Sequence, residues 1–551
     1  MIGKIVVSGI SLILVVGVVI GVIAVVNRSD GTQSTNDLSQ EKAVIQMCQP
    51  TNYKESCTKV LSSANSTDPK ELIKAGILAI SDSLTKSMNL SEDLVGNAGS
   101  EPRTKLSLED CKTLLKNASD ELQDTLKKMN NSDMKSIAEH ADDFRIWLSS
   151  IISYQELCVD GFEHDNNIKS KVQNSTNYGN ELTDNVLTIL GGISNILQDF
   201  GLQFNLPASH SRRLLGADGY PTWLSAADRK LLAVDNAGGP APNAVVALDG
   251  TGQFKSISEA INSYANAGNG RYVIYVKAGI YDEAVVVPKT HSNILMYGDG
   301  PEKTIVTGKR SFNGGVNTWN TASFVVEAPG FIAKNMGFEN TAGPDGHQAV
   351  AIRVNSDMSV FHNCKFDGYQ DTLLYQAGRQ FYRDCVISGT IDFIFGYGAA
   401  VIQNSEIIAR MPNPSQVNTV TADGKTEKGQ NTGLVIHNCK IVAEAALFPQ
   451  RLTVKTYLGR PWKEFSTTVV MESELGDLIQ PEGWLEWVGK QLYYAEYANT
   501  GPGANTANRI KWTTLHFLNS NEAQQFTAGT FLAGAAQWIR DAGVPFFLGF
   551  R

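Results

Sequence analysis

Ala333-Lys334-Asn335-Met336-Gly337-Phe338, Phe361-His362-Asn363-Cys364-Lys365-Phe366, Tyr382-Arg383-Asp384-Cys385-Val386-Ile387, Ile402-Gln403-Asn404-Ser405-Glu406-Ile407 and Ile436-His437-Asn438-Cys439-Lys440-Ile441 share one form. Each reads apolar, any, Asn or Asp, any, any, apolar, with Ala333 as a small apolar start. The third positions are 28, 21, 20 and 34 residues apart, the range in which one repeat makes one turn of a solenoid. From Val245 onward the chain consists of short β-branched and aromatic runs punctuated by Gly and Asn, a strand pattern. A right-handed parallel β-helix is expected, with Asn-type turns stacked along its length.

In such a fold, equal positions in successive coils lie about 4.8 Å apart. Asn363 and Asp384, Cys364 and Cys385, and Asp371 and Asp392 are all offset by 21 residues, so these coils stack without slippage. Stacked Cys364 and Cys385 fall inside the Cα window of a disulfide, which is expected to staple the two coils. The same register sets Asp371 above Asp392. Two carboxylates about 5 Å apart in a partly dry groove cannot both ionise cheaply, so the pair divides into an acid and a base, as two-step hydrolysis requires. Stacked acids also occur as calcium ligands or solvated ladders. Here Gly368–Leu373 and Gly389–Gly396 surround them with apolar and neutral groups, a poor shell for a hard cation, and no metal is expected.

Working outward, 551 residues suffice for at least two domains. Between about Ser39 and Phe204, apolar residues recur at helical spacing, as in Leu72, Ile73, Ile77, Ile80 and Leu84, and in Ile146, Leu148, Ile151 and Ile152. An all-α, four-helix-bundle-like domain over 39–204 is expected, Cys48 and Cys57 closing an N-terminal hairpin and Cys111 and Cys158 joining two longer helices. Cys439 is left over. Residues 205–233 read as a linker carrying two dibasic-leucine sites, Arg212-Arg213 and Arg229-Lys230, ahead of a β-helix domain over 234–551.

Residues 5–26 form an uncharged Val/Ile/Gly-rich run, long enough for a signal anchor and also readable as a signal peptide. Entry into the secretory pathway follows, consistent with paired cysteines. Sequons at Asn65, Asn89, Asn117, Asn130 and Asn174 offer glycan sites, all before Val234. The net charge is −9, and from Val234 onward 25 Lys and Arg face 28 Asp and Glu, a net of −3. Nucleic-acid binding has no electrostatic support.

The motifs around both acids, together with Gly279-Ile280-Tyr281-Asp282-Glu283, His347-Gln348-Ala349-Val350-Ala351 and Leu458-Gly459-Arg460-Pro461-Trp462-Lys463-Glu464, resemble the signature set of plant pectinesterases, over about Asn243 to Gly549. The resemblance implies hydrolysis of C6 methyl esters of pectin, without a cofactor, in the cell wall. It implies Asp392 as nucleophile and Asp371 as proton donor and later acceptor. Gln348 and Gln370 become amide donors to the oxyanion, and Thr318, Gln348, Arg460 and Trp462 substrate contacts. Arg460 is expected to pair with Asp392 and keep it ionised. Two places depart from the family pattern: Gly396-Tyr397-Gly398-Ala399, where relatives carry Gly-Asn-Ala, and Asp423-Gly424-Lys425-Thr426-Glu427, where they carry Gln-Gly-Arg-Thr-Asp.

The helical half resembles the invertase and pectin methylesterase inhibitor family, which implies an autoinhibitory or processing pro-region. In chains of this kind a subtilisin-like protease cuts the dibasic sites, giving a mature start near Ala233 or Val234. The implied partners are methyl-esterified pectin, that protease and pectin methylesterase inhibitor proteins, with membrane contact only through 5–26. A polygalacturonase or lyase on the same fold, or an inert wall-binding protein, are the rival readings. The absence of a calcium cage and of further acids spaced for glycoside cleavage argues against the first pair, and the intact acid pair against the last.

Overall fold

A computed structural model describes residues 39–97, 102–163, 165–202, 240–265, 270–487 and 491–551. The apolar run 5–26 and the four basic residues Arg212, Arg213, Arg229 and Lys230 lie outside the described residues.

The first half is helical. A short pair, α1 (Gln40–Cys48) and α2 (Lys54–Ser62), is tied by the Cys48–Cys57 disulfide. Next come α3 (Pro69–Asn97), α4 (Pro102–Asn130), the short α5 (Met134–Glu139), α6 (Ala141–Asp160), α7 (Asn166–Gly191) and α8 (Ile193–Asp199). The four long helices form the bundle, and Cys111–Cys158 joins α4 to α6 with 4.3 Å between Cα atoms. Leu72, Ile73, Ile77, Ile80 and Leu84 are buried in its core, as their 3.6-residue period requires. Leu148, Ile151 and Ile152 join them, but Ile146 does not. It belongs instead to the apolar cluster on the outer face of the 11-stranded sheet, which includes Ala399, Val401 and Val435, so α6 has two apolar faces.

The second half is a parallel β-helix. Among the described residues its strands form sheets of 11, 7 and 8 strands, every pairing parallel between successive coils. The five repeats fall where expected. Their first and last residues, from Ala333 and Phe338 to Ile436 and Ile441, are buried in one core, where Phe361 stacks on Tyr382 at 5.0 Å and Phe338 on Phe366 at 5.6 Å. Their third residues form the corner between the 11- and 8-stranded sheets, with φ of 56°, 51°, 53°, 55° and 53°. Asn and Asp tolerate this left-handed region because the short side chain bonds locally. Here it also bonds along the stack: Asn363 donates to Asn335 at 2.7 Å, Asn404 to Asp384, and Asn438 to Asn404 at 2.9 Å.

Asn363→Ala removes a ladder bond and places a Cβ without a polar group at positive φ. It is expected to destabilise the domain by roughly 1–2 kcal/mol, with Asn363→Gly costing less. Denaturant midpoints of the two variants test this.

The expected Cys364–Cys385 disulfide requires correction, because Cys364, Cys385 and Cys439 are buried free thiols. The register itself holds, since Lys365 pairs with Val386 one residue further on. Directly stacked residues on parallel coils send their Cβ vectors the same way, so the sulfurs lie side by side rather than facing each other. Each sulfur contacts carbonyls instead, Cys364 that of His362 at 3.5 Å and Cys385 that of Arg383 at 3.3 Å.

Two helices that the strand-like sequence did not announce pack on the β-helix. Ile257–Asn262 opens with a Ser256/Glu259 capping box, and Glu283 accepts from the N–H groups of Ile257 and Ser258 at 2.7 and 3.0 Å. The Glu of the Gly279–Glu283 block is thus a structural anchor at a helix N-terminus. Near the C-terminus, Ala535–Asp541 packs Trp538 and Ile539 on the 11-stranded sheet.

Candidate active site

Asp371 and Asp392 each stand two residues ahead of a strand of the seven-stranded sheet, where Leu373 pairs with Ile394. That register puts the acids in adjacent coils, and the Asp371 N–H donates to the Ile391 carbonyl at 3.1 Å. Both have positive φ, 65° and 50°, so both carboxyls leave the coil at a left-handed corner.

Their surroundings differ sharply. Arg460 grips Asp392 with two bonds, Nε to Oδ1 at 2.9 Å and Nη2 to Oδ2 at 2.6 Å, the fork geometry that favours a carboxylate over an acid. Thr419 donates to Asp392 Oδ1 at 2.7 Å and accepts from its backbone N–H at 2.8 Å. Asp371 has no such clamp. Burial raises its pKa well above the usual carboxylate range, the charge of Asp392 raises it further, then that of Glu163, with only Arg460 opposing. One carboxyl is aimed and ion-paired while the other is set to hold a proton, the asymmetry an acid–nucleophile pair needs.

Thr318, Gln348, Gln370, Arg460 and Trp462 line the same cavity as the two acids. Gln370 directly precedes Asp371, and its carbonyl accepts from the Ala349 N–H at 3.1 Å, which ties the Gln348 segment to the acid's coil. Trp462 stands between Phe395 and Tyr397, ring centroids 5.9 and 4.8 Å away.

Several residues of the site escaped the sequence reading. Thr419 is 27 residues after Asp392 rather than 21, because a loop interrupts that coil, so its register becomes visible only through the pairing of Ile394 with Thr421. Trp487 lies under the Arg460 guanidinium at 3.9 Å, and Phe312 and Trp319 complete the wall; no motif marks them.

The remaining wall comes from the helical half. Ser107, Asp110, Cys111 and Leu114 of α4, and Leu157, Cys158, Asp160, Gly161 and Glu163 at the end of α6, face the acids across the cavity. Asp110 accepts from Asn317 and Asn320 at 2.7 and 2.6 Å. Lys463 pairs with Asp160 at 2.7 Å and Glu156 at 3.0 Å. Buried Arg379 reaches Asp143 at 2.6 Å, and Tyr53 donates to Glu427 at 2.9 Å. The space left over the acids is about 220 Å³, less than the roughly 300 Å³ at which ligand pockets begin. The cleft is covered.

Among the described residues no helix is long and apolar enough to cross a membrane.

Comparison with known proteins agrees with this architecture segment by segment. The Pectinesterase family profile matches residues 243–535, and that of Plant invertase/pectin methylesterase inhibitor matches residues 42–189. Pectinesterase 4 of Arabidopsis thaliana is 43% identical, with 100% of both chains covered. A Probable pectinesterase/pectinesterase inhibitor of Brassica napus is 42% identical, again with 100% of both chains covered. Among solved structures, the pectin methylesterase from carrot aligns with a TM-score of 0.56 and 46% identity, covering 57% of this chain and 100% of its own. The chain belongs to the pectinesterase family and carries, ahead of the esterase, a segment of the invertase and pectin methylesterase inhibitor family.

Proposed function

We propose that the esterase half hydrolyses C6 methyl esters of galacturonan through an acyl-enzyme on Asp392. The carrying observation is the asymmetry of the acid pair. Asp392, ionised and aimed by Arg460 and Thr419, attacks the ester carbonyl; the oxyanion accepts hydrogen bonds from the amides of Gln348 and Gln370. Collapse breaks the bond to the methoxy oxygen, which takes the proton of Asp371 and leaves as methanol. Asp371, now a carboxylate, removes a proton from water as it attacks the acyl-enzyme. Galacturonate departs, Asp392 is regenerated, and Asp371 again holds its proton. Thr318 and Trp462 hold the sugar rings, the tryptophan by stacking. Methanol release without shortening of the polymer, measured beside Asp371→Asn, tests this reading; chain cleavage would overturn it.

The helical half acts as a removable cover. Secretion through residues 5–26, cutting at Arg212-Arg213 or Arg229-Lys230 by a subtilisin-like protease, and action in the cell wall complete the proposal. Of the five sequons on the helical half, Asn65, Asn89, Asn130 and Asn174 are exposed and Asn117 is half-buried.

Release is pH-dependent. Burial, then the charge of Asp184, pushes Glu427 from its usual 4.5 to about 8; Glu156 and Glu181 add to this, and the Tyr53 hydrogen bond opposes it. Below pH 4.5 the docked and free states both hold the proton. Between 4.5 and about 8 docking requires proton uptake, so it weakens as pH rises. Lys425, lowered to about 8 by burial, acts in the opposite sense only above that. Calorimetry on separated 39–204 and 234–551 is expected to show at least about tenfold weaker association at pH 8 than at pH 5; equal affinities would contradict it.

A further inference from the structure

We propose that Asn117 is a glycan switch: an N-linked oligosaccharide there holds the helical half off the cleft, so a chain that bears it is an active esterase before its linker is cut. The proposal rests on the reading of the helical half as a cover. Along α4, contacts with the β domain recur at a fixed interval. Arg103 donates to the Phe312 carbonyl at 2.6 Å, and Ser107 accepts from Asn317 at 3.3 Å. Asp110 holds Asn317 and Asn320, Leu114 lines the cavity with the acid pair, and Glu121 and Asp124 pair with Lys289 at 2.9 and 3.0 Å. Residues three and four apart share one face of a helix. Positions 103, 107, 110, 114, 121 and 124 therefore form a single stripe. Its one missing member, between the Leu114 wall and the Lys289 pairs, is Asn117, and Asn117-Ala118-Ser119 is a sequon.

The other four sequon asparagines are exposed with the cover in place, whereas Asn117 is half-buried. A glycan is bulky and belongs at a free surface. The adjoining space of about 220 Å³ is too small even for a drug-sized ligand, so a branched oligosaccharide on Asn117 and the docked β domain exclude each other. The bundle core does not oppose the sugar: Leu108, Cys111, Leu115 and Leu122 point into it from the other side of α4. Timing favours transfer. Asn117 is synthesised 172 residues ahead of Lys289, roughly 10–30 s at ordinary rates of synthesis, and during that interval the stripe has no partner. Transfer joins the Asn117 amide nitrogen to the anomeric carbon of an oligosaccharide supplied as its polyprenyl diphosphate. The bond from that carbon to the diphosphate oxygen breaks, the amide gives up one proton, and polyprenyl diphosphate leaves. The β domain, folding later, meets sugar where Asn317 and Lys289 would dock. Chains that stay silent until cut are those without sugar at Asn117, and occupancy of this one sequon sets the share that is active beforehand.

The test uses the full chain secreted from a eukaryotic host and kept uncut by Arg212→Gln, Arg213→Gln, Arg229→Gln and Lys230→Gln. Peptide mass after enzymatic deglycosylation reads occupancy at Asn117, and methanol release from methyl-esterified pectin reads activity, beside the 234–551 segment. Ser119→Ala abolishes the sequon, and Ser119→Thr makes it a better acceptor. Ser119 lies about 200° round α4 from Asn117, so neither change touches the docking stripe. Sugar is expected on Asn117 in part of the parent chains, and activity of the uncut chain is expected to rise with occupancy, from Ser119→Ala through the parent to Ser119→Thr. The span is at least about tenfold, an ordinary coupling between mutually exclusive states. Asn117 bare in both the parent and Ser119→Thr chains, or equal activity at different occupancy, overturns the switch while leaving the cover intact. A Ser119→Ala chain as active as the 234–551 segment overturns the cover and the switch with it. A segment that releases no methanol overturns the esterase reading and, with it, the switch.

Discussion

Asp392→Asn is expected to reduce methanol release by about 10⁴-fold or more, the scale on which loss of a nucleophile acts. An amide in this position keeps the shape of the carboxylate but lacks the charge that Arg460 holds in place at 2.6 and 2.9 Å. The substitution has a second, non-kinetic consequence. The charge of Asp392 is one of the causes raising the Asp371 pKa, and Arg460 is the one opposing it. With the first removed and the second freed of its partner, Asp371 titrates at lower pH than in the wild type. Its carboxyl signal, followed by NMR, is expected to move acidward in Asp392→Asn. An inactive variant in which Asp371 titrates unchanged would mean that the two carboxylates do not act as a coupled pair.

The full-length chain is expected to show less than about 1% of the activity of the 234–551 segment, because α4 and the end of α6 stand where substrate must lie. Cutting the linker does not by itself restore activity. The two halves remain joined through Arg379–Asp143, Lys463–Asp160 and Tyr53–Glu427, and covalent connection only raises the effective concentration of the cover, to about the millimolar range for a flexible linker. A cut chain therefore recovers activity on dilution or on raising the pH, whereas an uncut chain shows no dilution dependence. Rates measured over a hundredfold dilution series before and after cleavage distinguish the two, and an uncut chain as active as the segment would remove the helical half from any inhibitory role.

Much of the fold is written into local periodicity. The 21-residue offset common to Asn363/Asp384 and Asp371/Asp392 is a covalent fact that becomes a spatial one, since each coil of a solenoid rests on the one before it. The Asn ladder and the two acids were legible for that reason, as was the helical bundle from its 3.6-residue apolar spacing. Thr419 was hidden because the loop before it breaks the period. Cys364 and Cys385 stack as their offset requires, but the offset fixes distance and not the direction of the Cβ bonds, and direction decides whether two sulfurs can join.

By itself, then, the sequence determined a β-helix, a bundle, and an acid pair in adjacent coils. Tertiary structure alone decided that Ile146 faces the β domain instead of its own bundle, that Arg460 forks onto Asp392 while Asp371 is left to desolvation, and that Asp160 and Glu163 face the cleft. These are meetings of surfaces far apart in the chain. Periodicity encodes contacts between neighbouring coils and turns, whereas the docking of one half on the other depends on complementary charge and shape that no repeat records.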